Sequence, residues 1–406
     1  MAAGCDHSRA VVALSPMPSP LRRYAVFYFC FYAALGAYTP YVARFVDHLG
    51  FSGLVAGGML GLWYASRIAA PPLWSRWVAH SPRPGRWLLA GCVLASLGFA
   101  SFAAVDTVAG LFAAMLFFGA FYNAVMPQFE AMTLGAIAGE AEGYGRLRVW
   151  GSVGFLVVAG TYGALLDTWG EAWFVGATLP WFALMVWAAW PFRHEAPART
   201  AAGPVRVAMR ELWNRPGTRP LLLLALLVQA GFGAFYVFYT LHLRANGHDG
   251  FAVGLLWVVG VFAEILLFWW APGLIRRHGV QRLMAFCLAL TIVRWTVVAL
   301  YAGSMPLMLA AQLTHALGFA LFHACLMQRM AALFPGHEAS AGQGLLYGFS
   351  SGLGGVIGAL LAAVLWEWQG GLAAFLGGAV LSAVGLGLHL SRSAAPGPEA
   401  VPARMP

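Results

Sequence analysis

Four full charges lie inside long apolar runs of this chain: Glu130, Arg148, Glu264 and Arg294. At membrane depth a charge costs roughly 2.5–3.5 kcal/mol on insertion scales, so such residues face a partner or a water-filled cavity and mark a solute or ion pathway. Two chemistries follow. A carboxylic acid takes and releases a proton as its surroundings change. An arginine fork holds an anionic group by paired hydrogen bonds. At helical spacing Asn123, Pro127 and Glu130 share one face, as do Arg148, Ser152 and Phe155 in the next run. Those two faces can line one cavity, or Glu130 and Arg148 can form a static pair that neutralises both charges.

A second set lies further along. Trp257, Val261, Glu264 and Phe268 form a face, and Arg294 is the expected partner of Glu264, either as a coupling pair or as a static one. Gln312, His315, Phe319 and His323 form another. Histidine titrates near neutrality and relays protons. His315 and His323 are about 12 Å apart along a helix, too far to hold one metal ion. Arg67 either lines the pathway or reaches a backbone carbonyl. Tyr32 and Tyr236 belong to aromatic stripes that serve either as packing or as a stacking surface for a solute ring.

The elements that position these residues must be membrane helices. The chain is 61% hydrophobic and 10% charged over 406 residues, where soluble domains carry about 25% charge. Apolar runs fall near 22–46, 54–78, 86–105, 108–138, 147–166, 171–192, 219–243, 252–275, 283–303, 305–334, 342–366 and 370–391. Twelve helices of about 20 residues leave space for short loops and one longer connector, with no large soluble domain. The expected fold is all-α, with twelve transmembrane helices in two pseudo-repeated six-helix bundles. It divides into a tail at 1–21, a bundle at 22–192, a connector at 193–218, a bundle at 219–391 and a tail at 392–406.

Charge placement sets the expected orientation. All 24 basic side chains counted as Lys or Arg are arginine. With the N-terminus inside, nineteen fall on the cytoplasmic side, only Arg44 and Arg244 outside, and Arg67, Arg148 and Arg294 within or at the edge of spans. Both termini are therefore expected in the cytoplasm of a bacterial inner membrane. The arginines do not gather on one soluble face, which argues against nucleic acid as a partner. No HExxH motif is present, and GFSSG (348–352), which fits the GxSxG spacing, lies within an apolar run and not at a strand-to-helix turn, so no intramembrane enzyme is read here, and no cofactor or metal is expected.

The halves repeat. AAPPLWSR (69–76) answers WAPGLIRR (270–277), LLAGC (88–92) answers LMAFC (283–287), and VWG with GALL (149–151, 163–166) answers LYG with GALL (346–348, 358–361). Parallel six-helix repeats with a solute site between them describe the major facilitator fold. Small residues in GSVGFLVVAGTYG (151–163) and GFSSGLGGVIGALL (348–361) allow close helix contact.

PQFEA (127–131) followed by YGRLRVWGSVGF (144–155) resembles spans four and five of the oligosaccharide:proton symporters typified by lactose permease. The resemblance places Glu130 and Arg148 on that family's sugar-binding Glu and Arg, Arg294 in TIVRW on its span-nine arginine, His315 in LTHALG on its span-ten histidine, and Glu264 on its span-eight glutamate. Two positions depart: Phe155 replaces a sugar-stacking tryptophan, and Gly318 replaces a proton-coupling glutamate. The 3-phenylpropionate:proton symporter branch is more similar, in RLRVWGSVGF, GLLWVVGVFAEILLF (254–268) and the pairing of His315 with His323. The loop motif usual between spans two and three keeps its arginines and glycines in WSRWVAHSPRPGR (74–86) but lacks the acid.

The expectation is a monomeric secondary transporter that takes up a small organic solute, an aromatic carboxylate or a sugar-like molecule, with a proton by alternating access. Glu264, His315 and Arg294 would bind or couple the proton. Glu130, Arg148, Asn123, Ser152, Phe155, Tyr32 and Tyr236 would contact solute, with Arg67, Gln312 and His323 on the pathway. The alternatives are a proton-coupled drug or solute exporter and a non-transporting membrane sensor of the same fold.

Overall fold

The computed structural model describes residues 19–137, 141–195 and 209–393. Most of the expected N-terminal tail, half of the connector and nearly all of the C-terminal tail lie outside the described residues.

A chain this apolar in a bilayer must satisfy its backbone polar groups internally, and helices do so within one segment. The first half contains α1 (Ser19–Tyr38, continued by Val42–His48), α2 (Gly53–Ala79), α3 (Pro84–Ala100), α4 (Val108–Ala136), α5 (Ala141–Trp169) and α6 (Phe174–Ala189). A short helix, Met209–Asn214, leads into the second half. There follow α7 (Thr218–Gly231, continued by Gly233–Ala245), α8 (Gly250–His278), α9 (Val280–Tyr301) and α10 (Met305–Ala316, then Phe322–Leu333). The last two spans are α11, which begins at Ala339–Tyr347, and α12, which ends at Ser393.

Among the described residues ten stretches are long and apolar enough to cross a bilayer. The longest, Ala339–Arg392, has 54 residues, more than twice what one crossing needs. It is two helices, because Gln369 and Gly370 leave the helical region and Gly370 turns with φ +61°. Gly53–Ala79, with 27 residues, completes the twelve spans. Local chemistry sets several ends. Thr107 Oγ1 accepts from the Gly110 N–H at the start of α4, and Asp249 Oδ1 accepts from the Ala252 N–H at the start of α8.

The halves repeat their packing. α1 lies on α5, α2 on α4 and α3 on α6; in the second half α7 lies on α11, α8 on α10 and α9 on α12. The outer faces keep apolar side chains such as Leu97, Val364 and Val380 exposed, as a lipid-facing surface requires. The halves meet along two seams, α5 with α8 and α2 with α11. Both are tight at the end opposite the described termini. A Cβ on Gly163 or Gly250 would run into the other's backbone, and one on Gly57 would collide with Ala363. The small-residue runs of α5 and α11 therefore supply close contact between halves as well as within them.

Candidate functional site

Below those seams the halves separate around a cavity of about 950 Å³, at the upper end of the range for small-molecule sites. Its lining runs from Trp257 and Gln312 to Tyr144, Trp269 and Tyr347. The last three lie toward the ends of α5, α8 and α11 on the side of the described termini. The cavity is thus closed toward one end of the bundle and reaches toward the other.

One wall comes from the first half. Arg148, Ser152 and Phe155 stand on successive turns of α5 and line the cavity together with Tyr32 and Arg67. Arg148 donates from Nη2 to the Tyr32 hydroxyl at 2.7 Å, and its guanidinium lies 4.2 Å from that ring's centroid. One edge of the fork is therefore held and the planar group is steadied on an aromatic face. Glu130 is half-buried and lies behind this wall, where it accepts from the Tyr144 hydroxyl at 3.3 Å. No ion pair joins Glu130 to Arg148, so the static pair allowed by the sequence is not formed in this conformation. Asn123 lies off the cavity between α2 and α4. It donates to the Trp63 carbonyl at 3.1 Å and to Ser66 Oγ at 2.7 Å, and accepts from Arg67 Nε at 3.3 Å. It positions Arg67 instead of lining the pathway.

The opposite wall comes from α7, α8 and α10. Glu264, His315, Gln312, His323 and Tyr236 all line it. The expected Glu264–Arg294 pair is replaced. His315 Nε2 meets Glu264 Oε1 at 2.6 Å. Arg294 instead points along α10, where Nε donates to the Ala311 carbonyl at 3.0 Å and Nη2 to Gln312 Oε1 at 3.3 Å. The reason is local packing. Arg294 is buried, with its guanidinium 4.0 Å from the Trp295 ring centroid and 4.8 Å from that of Phe235. A Cβ on Gly260 would lie only 3.1 Å from Gln312 Oε1, so this glycine lets α8 carry Glu264 up to α10. Arg294 Nη1 and His315 Nδ1 are buried without a hydrogen-bond partner. Such groups are costly to leave unmet, and both belong to the cluster around His315.

Gly318 now has a packing explanation. It lies in a π-helical turn, Leu317–Leu321, between the two parts of α10. A Cβ there would overlap Thr291 Oγ1 on α9, and Thr291 is itself tied to the Cys287 carbonyl at 2.7 Å. A side chain at 318 therefore has to displace the Thr291 hydroxyl, which the glycine leaves in place.

Some site residues were not singled out in the sequence. Tyr144, Gln229, Ser350 and Tyr347 all line the cavity. Gln229 was detectable as the polar break in LLLLALLVQAGF, and Tyr144 as the tyrosine one turn before Arg148. Trp257, named only as part of the Glu264 face, stands 6.4 Å from Phe155 across the seam between halves. The indole missing from position 155 is thus offered from the other half, beside the Phe155 ring.

Comparison with known proteins agrees with this architecture. The MFS_1 like family matches residues 21–377. The chain is 25% identical over 314 residues to the probable 3-phenylpropionic acid transporter of Escherichia coli K12, covering 76% of this chain and 81% of that one. It is 25% identical over 353 residues to the maltose permease of Geobacillus stearothermophilus, covering 85% and 88%. In fold it is similar to the nucleoside transporter NupG, with a TM-score of 0.80 at 16% identity over 92% of this chain and 99% of that one. It is also similar to a bacterial homologue of the human lysosomal transporter Spinster, with a TM-score of 0.71 at 13% identity over 96% and 98%. By this match the chain, a multi-pass membrane protein of two six-helix repeats around a central cavity, belongs to the MFS_1 like family of the major facilitator superfamily and is a transporter and not an enzyme.

Proposed function

We propose that this protein takes up a small aromatic carboxylate together with a proton, by alternating access, across a bacterial inner membrane with both termini in the cytoplasm. In that orientation the cavity faces inward. The tails and the connector, 1–21, 193–218 and 392–406, lie on its cytoplasmic side, and the bundles 22–192 and 219–391 rock about the site as one monomer.

The observation that carries the reading is the 2.6 Å contact between His315 Nε2 and Glu264 Oε1 in a wall facing Arg148. A proton can pass between the two groups as water reaches the pair, because an imidazole nitrogen can both accept and donate one. Arg294 bears on the pair through the Gln312 and Ala311 contacts and is a positioning residue. On the other wall Arg148 has a free edge for a carboxylate, while Tyr32, Phe155, Tyr236 and Trp257 offer ring faces. Tyr144 holds Glu130 behind the wall, which reduces its repulsion of an anion. Ser152 can add a hydrogen bond, and Arg67, Gln312 and His323 line the approach. One relative is named for an aromatic carboxylate and another for a sugar. The Arg148 fork with aromatic walls favours the first.

The test is proton movement in proteoliposomes loaded with a pH-sensitive dye, using 3-phenylpropionate, maltose and a nucleoside as separate solutes. The expected result is an uncoupler-sensitive pH change with the aromatic carboxylate that disappears in Glu264→Gln. Solute entry without a pH change overturns the coupling. A response to the sugar or nucleoside alone overturns the substrate class.

A further inference from the structure

The first half carries a groove on its outer surface that transport does not use. It lies between the start of α3 and the end of α6 and holds about 620 Å³. One end is basic, formed by Arg86, Arg193 and His194. The rest is an apolar trough that includes Leu89, Val93 and Leu94, with Trp190 at its edge.

The backbone brings the basic groups together. Gly85 sits against the Phe192 carbonyl so closely that a Cβ would overlap it. Arg86 and Arg193, the next residues in each strand of chain, are therefore neighbours across the two helices. Arg193 is fixed in place: Nη1 donates to the Trp190 carbonyl at 3.0 Å, and the guanidinium lies 4.5 Å from the Trp190 ring centroid. Among the described residues no carboxylate pairs with Arg86 or Arg193. The acid next in sequence, Glu195, is turned away to Arg23 at 2.8 Å and accepts from the Tyr24 hydroxyl.

The shape and chemistry have one natural occupant in a membrane protein. From Arg86 to Leu94 is eight residues along α3, about 12 Å from the interface into the hydrocarbon. Arginines at that level attract anionic lipid headgroups, and a tryptophan beside them sits at the headgroup depth. The geometry points to a bound anionic phospholipid in the leaflet on the side of the described termini. Its phosphate rests on Arg86 and Arg193 with His194 as a further donor, and one acyl chain runs along Leu89, Val93 and Leu94. A free phosphate would leave the trough empty, whereas a phospholipid uses both ends.

The test is native mass spectrometry of the full chain in detergent, titrated with phosphatidylglycerol and, separately, phosphatidylcholine. The wild-type chain is expected to retain phosphatidylglycerol preferentially. R86Q/R193Q should weaken that retention on the order of 30-fold, while the charge-matched R276Q/R277Q at the end of α8 should not. A90W, which fills the trough and leaves every charge, should also weaken it. Three results would overturn the proposal. These are unchanged retention in R86Q/R193Q, equal loss in R276Q/R277Q, or full retention in A90W. Displacement of the lipid by inorganic phosphate alone would reassign the basic end to a free anion.

Discussion

Asp167 at the end of α5 and Arg244 at the end of α7 are 77 residues apart and belong to different halves, yet their side chains meet at 3.0 Å. Asp167 also accepts from Arg44 Nη2 at 2.8 Å within its own half and from the Gly250 N–H at the first turn of α8. Arg44 is nearly inaccessible, its side chain 3% exposed, and donates from Nε to Glu171 at 2.9 Å as well. The only two arginines that charge placement put on the outer side thus converge on one carboxylate, at the end where the halves are closed.

This arrangement predicts a graded effect on the closed outer end. Arg244 is 36% exposed, so Arg244→Gln should shift the balance by about 0.2–1 kcal/mol, a factor of up to about five. Asp167→Asn removes the negative charge facing two guanidiniums and one of the two oxygens that accept from Arg44, Arg244 and the Gly250 N–H at the positive end of α8. It should cost about 1.5–3 kcal/mol, a shift of 10-fold or more toward outer opening. Spin labels at positions 106 and 303, on equivalent loops of the two halves, would report it as a new population at longer distance. An unchanged distance distribution in Asp167→Asn would remove the latch from the account.

The seam itself makes a separate prediction. A Cβ on Gly254 of α8 would lie 3.0 Å from the Ala159 carbonyl and closer still to that of Gly160. Gly254→Val should therefore keep α5 and α8 apart while leaving the Asp167 cluster chemically intact. The expected outcome is a protein that binds solute from outside but does not carry it through. The two steps separate in binding to detergent-solubilised protein compared with uptake in vesicles. Normal uptake by Gly254→Val would mean that this contact opens freely during the cycle.

Much of this was readable from sequence because membranes constrain so strongly. The apolar runs anticipated the spans, since each had to satisfy its own backbone. The repeat of AAPPLWSR and WAPGLIRR anticipated paired helices, and α2 and α8 do occupy matching places. Helical spacing also put Arg148, Ser152 and Phe155 on one wall, where they stand. What could not be read was partner choice across helices. Spacing pointed Glu264 to Arg294, and only the approach of α8 at Gly260 and the stacking of Arg294 on Trp295 give it His315 instead. Asn123 shared a face with Glu130 by spacing alone, but its amide is used up by Trp63 and Ser66. The Asp167 cluster was invisible because its members come from four separate segments.

Gly318 gives a prediction that separates packing from coupling. Gly318→Ala should destabilise the fold by about 1–3 kcal/mol, because the new methyl overlaps Thr291 Oγ1. Thr291 Cβ is 3.6 Å from that methyl position, an ordinary contact. The double substitution Thr291→Ala with Gly318→Ala should therefore recover most of the loss. Thermal unfolding of the four proteins in detergent, treated as a double-mutant cycle, measures the coupling between the two sites. If Gly318→Ala is harmless, the close approach of α9 and α10 is not what keeps a side chain out of this position.

Arg148 and Tyr32 allow the solute's charge to be tested directly. If the arginine fork grips a carboxylate, Arg148→Lys should weaken binding by about 10- to 100-fold, because a lysine point charge cannot reproduce the paired contact. Tyr32→Phe keeps the ring under the guanidinium but loses the hydroxyl that accepts from Nη2 at 2.7 Å. It should cost less, about two- to tenfold, through looser placement of the fork. Both effects should fall on the affinity for 3-phenylpropionate and be nearly absent for its neutral amide, measured side by side with the same proteins. Equal losses for acid and amide would mean that Arg148 holds the wall together without reading the charge, and the aromatic carboxylate would no longer be the preferred substrate.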